Sequence, residues 1–439
     1  MRQAEQSIGV AHPLCFVIRP SPMLHDAASR LALSLQRSPA VRKRRQPRLQ
    51  ASCPLSASTK TRERLMSRPR TSAIDLSTAL PPCPSFLGEA LSRSLVELAS
   101  QSQLHWRIRK NRPGGEERDR EIGSIWIKPR VGEILPADRI LVTNGTQNAL
   151  VVILRHLCKP GDVIVAEKLA YLLIRPIALS LGLIVIGVEM DAEGVEPAAL
   201  EAVCQRASPK LLYCTPTVQN PTTAVMSQSR RAEIVRVARA HKIAIIEDDV
   251  LGRLHPEAPP SLYAHAPDTT WYIMSVSKCF AMGLRLAYLA IPEGLAAADV
   301  LRPHLRSSSM FANSLSCELV AHWIEGGNAG QIVDTARVEV TARQQLALQH
   351  LGRSGAKTVP GALHLWIELP ANASCDAVVE AALAAGVQIR SARVFSVDDQ
   401  PPPNAIRVAI TGPQDHAQLH AGLSIVAEIL SAHLSHDPP

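Results

Sequence analysis

Between residues 140 and 246 short apolar runs alternate with segments of helical spacing, and that alternation leaves few folds open. Residues 140–143, 163–166, 183–188, 211–214 and 243–246 are rich in Val, Ile and Leu and read as buried strands. Helical spacing runs through 146–157, 197–207 and 230–241, and turns fall at Asn144-Gly145, Pro160-Gly161-Asp162 and Asp191 to Gly194. Strands alternating with helices predict an α/β fold, a mainly parallel sheet with helices on both faces. Two more apolar runs follow, one ending at Ser275-Val-Ser-Lys278 and one over 284–291 that carries Arg285 at its start.

In an open parallel sheet, ligands bind beyond the carboxyl ends of the strands. Four such ends carry chemistry here. Asn144-Gly145-Thr146-Gln147 opens a helix and offers backbone N–H groups to an anion. Thr215 to Thr223 brings Asn220; Glu247-Asp248-Asp249 brings carboxylates; Ser275, Ser277 and Lys278 bring hydroxyls and an amine, with Arg285 behind them. A desolvated lysine is a competent amine nucleophile. An anion cradle, a carboxylate, an amide and a lysine together suit pyridoxal 5'-phosphate, whose aldehyde, ring nitrogen, phenolic oxygen and phosphate need those four partners. Simpler readings exist for each residue. Lys278 could be solvated, Asp248 or Asp249 could cap a turn, Tyr171 could be a core tyrosine, and Arg407 could face solvent or pair locally.

Beyond Pro292 the texture changes to long helical segments over 296–309 and 314–351, broken near Gly326-Gly327. Strands at 363–368 and 405–410 then flank a helix at 375–385, which predicts a smaller α+β domain. At the other end, residues 1–70 carry about 14 Lys and Arg against about 3 acids. The chain's net charge of +8 therefore belongs to that segment, and the remainder is slightly acidic. The expected division is a basic, disordered segment over 1–73, an arm and large domain over 74–300, and a small domain over 301–439. The segment 105–112 reads as basic and irregular. Residues 1–70 also have the composition of a transit peptide, and Arg42 to Arg48 could touch DNA by charge alone, without reading sequence. The nine scattered cysteines form no Cys-x-x-Cys, which points to a reducing cytoplasm and away from disulfides or zinc. The longest apolar stretch, 169–190, is broken by Arg175 and Pro176 and reads as helix plus strand rather than a membrane span.

From Ile74 onward the chain resembles the class I/II aminotransferases of fold type I, and more closely the aminotransferase-like domain of MocR/GntR-type regulators. The words that carry the resemblance are Val142-Thr-Asn-Gly-Thr-Gln-Asn-Ala-Leu150, Leu212-Tyr-Cys-Thr-Pro-Thr-Val-Gln-Asn-Pro-Thr-Thr-Ala224, Ile245-Ile-Glu-Asp-Asp-Val-Leu-Gly252 and Met274-Ser-Val-Ser-Lys-Cys-Phe-Ala-Met-Gly-Leu-Arg285. The resemblance implies that Lys278 holds the cofactor as a Schiff base and moves the substrate's α-proton, and that Asp248 pairs with the ring nitrogen. Asn220 would donate to the phenolic oxygen, and Tyr171 would stack on the ring. Gly145, Thr146, Gln147, Ser275, Ser277 and Arg285 would hold the phosphate, and Arg407 the substrate carboxylate. It further implies amino acid and 2-oxo acid substrates, a homodimer and no membrane, or else a regulator that uses the same domain as a ligand sensor. Four departures stand out. No winged helix is recognisable in 1–70; Leu251 replaces a tyrosine; no tyrosine occurs in 101–114, before the Gly115 to Arg120 element; and Met282 replaces a proline.

Overall fold

The computed structural model describes residues 73–434 apart from Ala296 and the side chains of 297–299. The expectations for 1–72 lie outside the described residues. The first strand, β1 (Ile74–Asp75), is followed by helices Ser85–Ser100, Leu104–Arg109 and Glu117–Val131. The short Leu104–Arg109 helix corrects the irregular reading of that basic stretch. Leu104 is half-buried against the core while Trp106 and Ile108 are exposed, so the helix left no continuous core-facing stripe to recognise.

The large sheet then builds up from β2 (Ile140–Thr143), β3 (Val163–Glu167) and β4 (Ile184–Val188). A small ribbon, β5 (Met190–Asp191) with β6 (Gly194–Val195), precedes β7 (Leu211–Cys214), β8 (Ala244–Asp248), β9 (Thr270–Ser275) and β10 (Ala287–Ala290). Seven strands lie in the order β2-β10-β9-β8-β7-β3-β4. All pairings are parallel except those of β10, which runs antiparallel to both β2 and β9. β2, β7, β9 and β10 are buried along their whole length, which explains their unbroken apolar sequence. Helices Thr146–Leu157, Pro197–Ala207 and Gln228–His241 bury their apolar sides in two cores. Ser227 starts the last of them by accepting the Arg230 N–H at its N-cap.

The register sets the site. Cys214 lies opposite Glu247, Asp248 opposite Ile273, and Ser275 opposite Ala287, which in turn faces Thr143. The carboxyl ends of β2, β7, β8 and β9 therefore meet the entry to β10 at one edge of the sheet.

Further on, β11 (His364–Glu368), β12 (Val387–Gln388), β13 (Arg390–Ser391) and β14 (Ala405–Ala409) lie among helices Asn328–Leu351, Cys375–Ala384 and His416–Leu434. β11, β14 and β13 form a second, antiparallel sheet. β12 pairs in parallel with β1, and Leu76 joins the apolar core of this C-terminal region. The segment after β1 is thereby held close to β14: the Leu76 carbonyl accepts the Ala409 N–H at 2.7 Å.

Candidate active site

A cavity of about 240 Å³ opens where these loops converge. Thr146, Gln147, Tyr171, Asn220, Asp248, Ser275, Ser277, Lys278, Arg285 and Arg407 all line it. Gly145 sits just behind, at the N-cap of helix Thr146–Leu157 with φ +78°. A Cβ there would stand 3.2 Å from the Arg285 guanidinium carbon, so glycine is what allows that side chain over the helix start.

Ser275 shapes the turn that presents the lysine. Its hydroxyl donates to the Leu286 carbonyl (3.1 Å) and accepts the Ser277 N–H (2.9 Å). Lys278 Nζ donates to the Ala79 carbonyl at 2.5 Å. Burial pushes the Lys278 pKa down to about 8; the Arg407 charge adds to this and Asp248 opposes it. Arg285 lies in left-handed backbone, with φ +48°, and reaches the Asn144 carbonyl at 3.4 Å.

Asp248 is 4% exposed. One carboxylate oxygen accepts the Tyr213 hydroxyl at 2.9 Å, and the other, Oδ1, is buried without a partner. Burial raises its pKa to about 7, the Tyr213 hydrogen bond pulling the other way. Its neighbour Asp249 also leaves Oδ1 without a partner, but its Oδ2 is ion-paired, accepting Arg130 Nε at 2.8 Å and the Tyr272 hydroxyl at 2.8 Å. Asp248 is thus the carboxylate on the cavity and Asp249 the one tied into the protein.

On the opposite wall Arg407 is 4% exposed. It donates to Asn220 Oδ1 at 2.8 Å and to the Ser77 carbonyl, while its Nε has no partner. With the Asn220 oxygen so engaged, the amide NH2 remains to donate into the cavity. The Tyr171 hydroxyl accepts from Gln147 Nε2 at 2.9 Å.

Leu251 and Met282 both line the cavity, so two of the sequence departures fall at the site itself. Arg120 closes its own local element, donating to the carbonyls of Gly115 (2.6 Å) and Ala137 (2.8 Å). Sequence reasoning missed Tyr213, His364, Arg390 and the segment Ser77 to Ala79, which also reach the site. Tyr213 carried a usable signal, a hydroxyl inside an otherwise apolar central strand. Ser77 and Ala79 carried none, because they act through backbone carbonyls.

A buried anion with one free oxygen, a depressed lysine, an arginine beside a helix start and an amide donor define a site for a phosphorylated pyridine aldehyde. The family description "Aminotransferase class I and II" matches residues 128–422, and the chain belongs to that family. The family's cofactor is pyridoxal 5'-phosphate, and the residues present fit it. Asp248 Oδ1 lacks the partner a ring N–H would provide, and Lys278 and Arg285 are met only by backbone carbonyls.

The HTH-type transcriptional regulator YdeF of Bacillus subtilis (strain 168) is 29% identical over 316 residues, covering 72% of this chain and 68% of its own. Aromatic-amino-acid aminotransferase 1 of Thermococcus litoralis is 27% identical over 277 residues, covering 60% and 66%. The chain spans 58 to 68% of the length of YdeF and three further HTH-type regulators it matches. Pyrococcus horikoshii kynurenine aminotransferase, solved in complex with PMP, superposes with a TM-score of 0.75 at 24% identity. The match covers 86% of this chain and 96% of that one and establishes the shared fold. Among the described residues, no helix is long and apolar enough to cross a membrane.

Proposed function

We propose that this chain is a pyridoxal-phosphate-dependent aminotransferase that moves an amino group between an amino acid and a 2-oxo acid. The observation that carries the reading is the convergence of Lys278, the free oxygen of Asp248 and an Arg407 met only by neutral acceptors on one cavity. When bound, the cofactor supplies an aldehyde that captures amines and a ring that draws electrons from the substrate's α-carbon. The rest falls to the protein. Lys278, with its pKa near 8, has an unprotonated fraction at neutral pH and serves both as nucleophile and as the base at the α-carbon. Asp248 keeps a cation at the ring nitrogen, because a buried carboxylate is stabilised by an adjacent positive charge. The N–H groups at Thr146 and Gln147, with Ser275, Ser277 and Arg285, hold the phosphate. Asn220 donates to the phenolic oxygen, and Tyr171 covers the ring. Arg407 takes the α-carboxylate bidentately, exchanging the Ser77 carbonyl for a charged partner.

The same reading assigns residues 74–300 to an arm and large domain, 301–439 to a small domain, and the active form to a cytoplasmic homodimer. Its test is an absorbance spectrum of the purified protein before and after mixing with a panel of amino acids. A visible chromophore that bleaches with some of them is expected; no bound chromophore would refute the reading. The regulator reading is favoured by one observation, the six HTH-type regulators among the matched relatives. It expects a chromophore that shifts with an amine but never returns an oxo acid, and salt-sensitive DNA binding through the basic 1–73 segment.

A further inference from the structure

Arg390 and Arg407 stand directly opposite each other on β13 and β14, and both line the cavity. Like charges facing across a strand pair are ordinarily destabilising. Elsewhere this protein neutralises its buried arginines: Arg112 pairs with Asp119 and Glu318, Arg130 with Asp249, and Arg231 with Glu247. The cavity pair is treated differently. Both guanidiniums donate to one neutral acceptor, the Ser77 carbonyl, Arg390 through Nε at 3.1 Å and Arg407 through a terminal nitrogen. Among the described residues no carboxylate forms an ion pair with either. Asp75 acts on Arg407 through space, but its Oδ1 is taken by the N–H groups of Ser77 (2.7 Å) and Thr78 (3.1 Å).

One α-carboxylate neutralises only one of two adjacent cations. The second needs another anion from the same ligand. An apolar side chain placed there would instead strip water from a half-buried guanidinium and give nothing back. We propose that Arg390 receives the distal carboxylate of a dicarboxylic substrate, so that the protein selects acidic amino acids and 2-oxo diacids. This rests on the aminotransferase reading for the role of Arg407 and adds Arg390 as the residue that sets specificity. A second charge-assisted hydrogen-bonded pair is worth about ten- to a hundredfold in affinity.

The test uses unreactive acids on the full chain loaded with pyridoxal phosphate. Glutarate and valerate have the same carbon count and differ in one terminal carboxylate. Calorimetric titration of the wild type is expected to show glutarate binding about tenfold or more tighter than valerate. In Arg390→Met that preference disappears while valerate affinity holds, and Arg390→Lys restores part of it. A wild-type ratio near one overturns the proposal, whether or not any variant folds. So does an Arg390→Met protein that weakens both acids equally, since that marks a shared grip on one carboxylate, or one that changes neither. Failure to take up pyridoxal phosphate would refute the aminotransferase reading instead. The glutarate-to-valerate ratio would then be read on the cofactor-free protein.

Discussion

Two groups of charges meet at the end of β8 and are handled in opposite ways. Away from the cavity, Arg130 reaches Asp249 (2.8 Å), Thr217 (3.0 Å) and the Ala258 carbonyl (3.1 Å), and Arg231 reaches Glu247 (3.3 Å) and Thr217 (2.9 Å). Facing the cavity, Asp248 keeps a free oxygen, and Lys278, Arg285, Arg390 and Arg407 are met by neutral groups. Burial of unpaired charge costs stability, and a protein keeps such an arrangement where a ligand completes it. The closed cluster holds the strands that aim the open one.

Breaking the closed cluster should do the most damage. Arg130→Met leaves Asp249 with a buried charge, its ion-pair partner gone and Tyr272 as its remaining side-chain hydrogen bond. The expected loss is about 3–5 kcal/mol in urea unfolding. A loss below about 1 kcal/mol would mean that the cluster is not structural.

Breaking the open cluster should spare the fold and cost the ligand. Asp248→Asn removes a charge-assisted hydrogen bond, so pyridoxal phosphate retention on dialysis should fall about tenfold or more. The same variant has a pH signature. The folded pKa of Asp248 lies near 7, above the ordinary 3.8. Between about pH 4 and pH 7 the unfolded chain releases this proton while the folded one keeps it. Its contribution to cofactor-free stability therefore declines as pH rises through that window and is flat above it. Glu167 and Glu247, also raised to about 7, act in the same direction and remain in the variant. The urea midpoint of cofactor-free Asp248→Asn should fall less steeply from pH 4 to pH 7 than that of the wild type. Identical slopes would show that Asp248 is not titrating there.

Two smaller effects sharpen the contrast between ligand-facing and structural positions. Leu251 lines the cavity at the position where the family resemblance implies a tyrosine. A hydroxyl there would donate to the cofactor's phenolic oxygen, so Leu251→Tyr should lower the pH midpoint of the bound chromophore's colour change by about one unit. An unchanged midpoint would show that the side chain does not reach the cofactor. Thr223, at φ +65°, is β-branched in left-handed backbone and does not line this cavity. Its side chain is buried, so Thr223→Gly sets roughly 1–2 kcal/mol of relieved strain against roughly 0.5–1 kcal/mol of glycine's chain entropy and the lost packing, and unfolding stability should change by less than about 1 kcal/mol. A loss above about 2 kcal/mol would mean that no strain is relieved there.

Much of this is legible in the sequence. Segments 146–157, 197–207 and 211–214 come out with the bounds read from sequence, because turn residues delimit them and burial leaves an unbroken apolar signal. The site residues from Gly145 to Gln147, Asn220, Asp248 and Ser275 to Lys278 were legible because they follow strand ends, where an α/β sheet opens, whereas Tyr171 and Arg407 were pointed to by the family resemblance. The antiparallel course of β10 was not, since apolar runs carry no direction. The final helix, His416–Leu434, was passed over although its apolar face is long. Nor could sequence show Arg390 beside Arg407, a pairing set by β13 and β14 registry, or the return of Ser77 and Ala79 to residues about three and two hundred positions away. Contacts of that separation leave no local pattern.

Everything proposed for the open cluster depends on Lys278 being the residue that captures the cofactor's aldehyde. The direct measurement is borohydride reduction of the pyridoxal-phosphate-loaded protein, followed by peptide mapping by mass spectrometry. A single phosphopyridoxyl group on Lys278, absent from Lys278→Ala, is the predicted result. A label on another lysine, or none, would contradict it.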